Sequence, residues 1–174
     1  MVWEQSVTVI VMLSGVEEYG KQRCSSYWAD LGAKEIEKEF IVGVLAVRHY
    51  SDFNVRKFIV NRISGGVTEE REILHFQYMT WGDFLVPERP TWVMRFVKRV
   101  NEHYVPDRGP LLVHCSTGSG RTGTFVAIDM LLDDLDGGDQ VDIFSCVSYL
   151  RHHRMRVVQT SVSEILLYHG TSLE

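Results

Sequence analysis

A cysteine and an arginine separated by five residues, with glycines between and after them, form the stretch His114-Cys115-Ser116-Thr117-Gly118-Ser119-Gly120-Arg121-Thr122-Gly123. The preceding residues, Pro110-Leu111-Leu112-Val113-His114, read as a short buried strand. Residues 124–135 have the apolar density of a helix, whose start falls near Arg121. A tight strand-to-helix loop of this kind turns its backbone N–H groups onto an anion, and the helix N-terminus adds the positive end of its dipole. Gly118 and Gly120 allow the chain to turn inward without side-chain obstruction. A free thiol ionises near pH ~8.5, and a helix N-terminus or a neighbouring cation lowers that to roughly 3.5–7.5. Cys115 is therefore expected to be a thiolate at neutral pH, able to attack a phosphorus atom. The backbone from Ser116 through Thr117, Gly118, Ser119 and Gly120 would cradle the phosphoryl oxygens. Arg121 would hold two of them with its planar fork. Thr122 is placed to hydrogen-bond the sulfur and ease its later departure, and His114 to order the loop.

The elements that must position this loop are legible in outline. Residues 7–13 are β-rich and nearly continuous in apolar side chains, as a buried strand is. A polar stretch over 14–38 follows, then three β-like runs at 40–50, 54–63 and 72–79. The turn signal Ser64-Gly65-Gly66 between the last two predicts an antiparallel meander. From Thr91 the period becomes helical, with Trp92, Val93, Phe96, Val97 and Val100 on one stripe. Asp142 can cap a further helix carrying Ile143, Val147 and Leu150, and Ser161 with Glu164 can open a last helix ending near Tyr168. Strands followed by helices give a mixed α/β domain.

The chain has 174 residues, enough for one domain with a real core, and a formal charge of -5. That balance argues against a general nucleic-acid binder, which needs a basic surface. Any attraction for an anion must be local to a pocket. Three widely spaced cysteines, Cys24, Cys115 and Cys146, form no disulfide framework or zinc pattern, so a reduced, cytoplasmic setting is expected. The apolar run 7–13 is too short to cross a membrane and lacks the flanks of a secretory signal. No membrane contact by this segment is expected.

The loop as it stands, HCSTGSGRTG, resembles the HCSAGxGR[ST]G signature of the cysteine-dependent protein tyrosine phosphatases. A second stretch, His75-Phe76-Gln77-Tyr78-Met79-Thr80-Trp81-Gly82-Asp83-Phe84-Leu85-Val86-Pro87, resembles that family's mobile acid loop, HFxYxxWPDxGVP. The resemblance makes Asp83 the general acid toward the leaving tyrosine oxygen and then the base that activates water. It places Trp81 and Phe84 at the substrate. Val157-Val158-Gln159-Thr160 resembles the segment whose glutamine positions the hydrolytic water, which gives Gln159 that role. Glu18 and Arg23 fall in a segment resembling VxExGxxKCxxYW; Glu18 would brace Arg121, and Arg23 stands where the family has a lysine. The implied fold is α/β, a mixed and highly twisted central β-sheet flanked by helices. The implied activity is hydrolysis of phosphotyrosine in a partner protein or peptide, with no metal and no organic cofactor.

The resemblance spans residues 1–174 as a single partial domain. Its start, Met1-Val2-Trp3-Glu4-Gln5, looks like an interior segment of the family, so the front of the fold, with the loop that grips the phosphotyrosine ring, is expected to be missing. Gly82 replaces the acid loop's proline, Leu85 its following glycine, and Ser163 a second glutamine. Exchanging proline for glycine costs on the order of 1–2 kcal/mol if loop closure is affected, or roughly a five- to thirty-fold rate loss. Loss of the acid itself would cost about 10²–10⁴-fold. These departures keep a pseudophosphatase open as the rival reading, and a fragment without independent function as a third. Gly118-x-Gly120-x-x-Gly123 also satisfies a dinucleotide-binding pattern, but too little chain follows it for the remaining strand–helix repeats. His152 and His153 are adjacent and on a helix diverge, which disfavours a metal site. Cys24 and Cys146 read as buried packing cysteines.

Overall fold

The computed structural model describes residues 1–29, 32–36, 38–82, 85, 87, 90–138 and 140–159. The predicted last helix and Ser163 lie outside them. The strands are β1 (Val9–Met12), β2 (Glu17–Glu18), β3 (Lys21–Gln22), β4 (Ala33–Ile36), β5 (Phe40–His49), β6 (Phe53–Ser64), β7 (Val67–Tyr78) and β8 (Leu112–His114). The helices are α1 (Pro90–Asn101), α2 (Gly120–Gly137) and α3 (Ile143–His153), with a short 3₁₀ turn at Pro106–Arg108. The chain divides into two compact units, Met1–Met79 with Tyr104–Leu112, and Thr80–His103 with Val113–Glu174.

The first unit is built on a mixed sheet. Its strands run in the order β4-β5-β6-β7-β1, antiparallel from β4 to β7, while β1 joins β7 in parallel with Val9 opposite Leu74 and Met12 opposite Gln77. All four residues of β1 are buried, which explains why it reads as a continuous apolar run rather than an alternating one. The meander predicted from the turn signal is present, but β7 begins at Val67 rather than near 72. The two-residue turn Gly65-Gly66, both with positive φ, pairs Ser64 directly with Val67 and zips the hairpin from its tip. Residues of β7 on both faces, Ile73, His75 and Gln77 on one and Phe76 and Tyr78 on the other, are buried. One core cluster gathers Val7, Ile10, Met12, Trp28, Phe58 and Ile73. Cys24 is only half-buried and packs at its margin, a correction to its expected burial. The polar stretch hides β2, β3 and β4, strands too short to leave a period-two signal.

The second unit is helical. Val93, Phe96, Val97 and Val100 of α1 are buried, with Trp92 half-buried at the edge of the stripe. Phe96 meets Phe125 of α2 edge-on with ring centroids 6.0 Å apart, and Asn101 donates to Asp129 at 2.6 Å. Asp142 caps α3, accepting the Ser145 N–H at 3.0 Å, as its position before the apolar run predicts. Cys146 is buried facing α2, its Sγ 4.0 Å from the Ala127 carbonyl oxygen, and burial pushes its thiol up, away from reactivity. No helix among the described residues is long and apolar enough to cross a membrane.

Candidate active site

The loop after β8 wraps the Cys115 sulfur in donors. Gly118 N–H donates to Sγ at 3.3 Å, and the N–H groups of Ser119 and Thr122 face the same atom. Gly118 has φ +67°, the left-handed conformation a glycine adopts at no steric cost, and this turns its N–H inward. Helix α2 starts at Gly120 with no acidic residue in its first turn, so that turn carries no carboxylate against its positive pole. Cys115 is 6% exposed. That burial raises the thiol pKa, but the Thr122 hydroxyl and the amides of Thr122, Gly118 and Ser119 outweigh it, and the net shift is downward. Thr122 Oγ1 is buried and makes no hydrogen bond of ordinary geometry. Its influence is that of a donor dipole beside the sulfur, a bond that a thiolate, the stronger acceptor, would complete.

Arg121 is 4% exposed and donates from Nη1 to the Trp81 carbonyl oxygen at 2.8 Å, which ties the first turn of α2 to the start of the acid loop. Trp81 is itself buried, its indole N–H donating to the Leu85 carbonyl at 2.9 Å. Its ring is enclosed, and its backbone oxygen faces Arg121. Leu85 side chain is exposed. Asp83 and Phe84 lie outside the described residues.

Gln159 is exposed, and its Oε1 lies 3.3 Å from where a β-carbon on Gly120 would sit, so its amide stands over the nucleophile loop. Val157 and Val158 before it are buried, and Val158 holds φ +51°, a costly conformation for a β-branched residue. Arg151 fixes this bend, donating from Nε to the Val157 carbonyl at 3.2 Å and from Nη2 to that of Val158 at 3.0 Å. A β-carbon on Gly123 would come within 2.8 Å of the Val158 nitrogen, so α2 and this segment can approach so closely only across a glycine.

His114 is half-buried, its Nδ1 3.2 Å from the Cys115 carbonyl oxygen; burial lowers its pKa against the smaller raising effect of that bond. Ser116 and Thr117 are exposed at the rim of the loop. Glu18 and Arg23 belong to the first unit. Glu18 accepts the Gly15 N–H at 2.9 Å and lies 3.8 Å from the Arg23 guanidinium. Among the described residues no group of three potential metal ligands occurs.

The family model for the protein-tyrosine phosphatase domain matches residues 1–171. The chain belongs to the protein-tyrosine phosphatase family. Its mixed sheet and, among the described residues, three helices are consistent with that family's α/β fold. The chain is 40% identical over 173 residues to tyrosine-protein phosphatase 69D of Drosophila melanogaster, covering 97% of this chain and 12% of that protein. It is 38% identical over 168 residues to receptor-type tyrosine-protein phosphatase F of Danio rerio, covering 97% and 9%. It is 37% identical over 171 residues to receptor-type tyrosine-protein phosphatase alpha of Mus musculus, covering 97% and 20%. The chain thus spans a fifth or less of the length of these relatives.

Two functional candidates escaped the sequence reading. Arg151 and Arg154 act on backbone carbonyls, which leave no trace in residue type. The available signal was a run of cations at the end of α3, and such a run more often marks a solvated face.

Proposed function

We propose that this chain hydrolyses phosphotyrosine in proteins in two covalent steps through Cys115. In the first, the thiolate attacks phosphorus, the bond to the aryl oxygen breaks, and Asp83 passes its proton to that oxygen. In the second, water oriented by Gln159 attacks the thiophosphate and gives a proton to Asp83, and the phosphorus–sulfur bond breaks to return the thiolate. Loop amides and Arg121 carry the equatorial oxygens through both transition states. The observation that supports this most is the set of donors converging on the Cys115 sulfur, which overcomes the burial penalty and favours the anion.

The roles of Asp83, Phe84 and Glu18 rest on the family motifs. Three free thiols and the absence of an apolar spanning helix among the described residues fit a cytoplasmic domain. A net charge of -5 fits a protein or peptide partner better than a nucleic acid.

Hydrolysis of a small aryl phosphate is expected to be vanadate-sensitive and to vanish in Cys115→Ser; activity surviving that substitution rejects the mechanism. Gly82 in place of the acid loop's proline favours the rival, a domain that retains phosphotyrosine without turnover. Asp83→Ala separates the two. If the wild type turns over, the variant retains phosphotyrosyl peptide far longer than the wild type does, whereas equal retention supports the pseudophosphatase.

A further inference from the structure

An exposed arginine on the far side of the nucleophile loop grips it from behind. Arg154 follows the last residue of α3 and donates from Nε to the Gly118 carbonyl at 2.8 Å and from Nη2 to the Thr117 carbonyl at 3.0 Å. These are the carbonyls of the Thr117–Gly118 and Gly118–Ser119 peptides. The N–H ends of the same two peptides, on Gly118 and Ser119, are turned toward the Cys115 sulfur. A peptide unit is planar, with N–H and C=O pointing opposite ways, so fixing its oxygen outward fixes its hydrogen inward.

We infer that Arg154 is a positioning residue for Cys115: its planar fork holds two adjacent peptide planes by their oxygens and so keeps their N–H groups trained on the sulfur. The loop needs such a hold because a glycine's backbone offers little resistance to flipping these planes, and the other donor to the Thr117 carbonyl, Ser119 Oγ, lies at a long 3.5 Å. Both bonds are charge-assisted and share one rigid guanidinium, so the two planes are held in register with each other. The guanidinium's charge also leans on the same amide dipoles, polarising them toward the sulfur. His114, next to Cys115 in sequence, has its pKa lowered by burial, and Arg121, six residues on, is bonded to the Trp81 oxygen.

The consequence for phosphoryl transfer rests on the proposed function, but the thiol itself can be read without turnover. The test is the pH dependence of Cys115 alkylation by iodoacetamide in the folded chain, with near-ultraviolet circular dichroism confirming the fold. Arg154→Ala is expected to raise the apparent pKa by about one unit. Arg154→Lys, which keeps the charge and loses the fork, should recover only part of that shift. For aryl phosphate, kcat/KM at neutral pH should fall on the order of 10-fold in Arg154→Ala, less than deletion of an oxyanion donor would cost. A wild-type pKa in folded Arg154→Ala overturns the inference, as does complete recovery in Arg154→Lys, which would reduce Arg154 to a point charge. If Arg154→Ala does not fold, Arg154→Lys decides alone: a raised pKa supports the fork, and a wild-type pKa overturns it. A wild-type chain with a low thiol pKa but no phosphatase activity would defeat the proposed function and leave this inference standing.

Discussion

Cys115 sits where two effects oppose each other, since the enclosure that shields its sulfur from water penalises the anion that the loop donors favour. The donors win, so the folded chain holds its proton less tightly than an unfolded thiol does. By linkage, the thiolate's contribution to stability is full above the ordinary thiol value near ~8.5 and is lost as pH falls through the lowered folded value. Chemical denaturation across that window should show the wild type gaining stability on Cys115→Ser as pH rises; a flat difference would mean the thiol is not shifted. His114 has the same sign for a different reason. Its folded pKa lies below the ordinary value near ~6.5, so the unfolded chain binds the extra proton first and acid destabilises the fold from that pH downward. Replacing His114 with Asn should flatten that acid limb, which urea titrations at a series of pH values would reveal. Sequence reasoning singled out both residues because the candidate nucleophile, its amides and its arginine are contiguous between 114 and 123. It did not foresee that the Trp81 carbonyl would accept from Arg121, because backbone atoms are the same in every residue.

At the scale of elements, the candidate site is shaped by close contacts of α2 with the 157–159 segment. Gly123 faces the Val158 backbone, and Arg151 of α3 holds that backbone in a left-handed bend. Gly123→Ala would force its new methyl to within 2.8 Å of a main-chain nitrogen. The segment must then move, and Gln159 with it. We expect the second chemical step to suffer more than the first, so that rapid mixing of Gly123→Ala with an aryl phosphate gives a burst of released phenol approaching one per enzyme. Release without a burst, at a uniformly reduced rate, would show that the segment serves both steps equally. The helices themselves were readable from an apolar stripe and a cap, α1 and α3 beginning where the pattern and Asp142 place them. Strand β7 was misjudged by five residues at its start, because hairpin closure supplied hydrogen bonds that its polar N-terminal half does not advertise.

For the whole molecule, the open face of the sheet is the main liability. Strand β4 covers β5 only from Phe40 to Gly43, and a register shift follows between Val44 and Ala46. Leu45, the unpaired residue of that shift, and Val47 beyond it are 54% and 41% exposed on a stretch that, among the described residues, only β6 pairs. The bulge twists this edge, a common device against edge-to-edge pairing, yet its side chains stay apolar. Leu45→Lys is therefore expected to reduce concentration-dependent association in light scattering while leaving Cys115 alkylation unchanged. Association that persists in the variant would locate the sticky surface elsewhere.

The residues by themselves pointed to the proposed chemistry, because a cysteine, its amide nest and its arginine need only a strand, a turn and a helix in succession, all within one short stretch of chain. The alternation of strands, the helical stripe and the Asp142 cap were likewise local properties. Only the tertiary structure decided that β1 lies parallel to β7, that a buried tryptophan lends Arg121 its carbonyl, and that Arg154 reaches back across 36 residues to Gly118. Those arrangements depend on which backbone groups are left facing one another once the core has closed, and backbone groups carry no signature in the order of side chains.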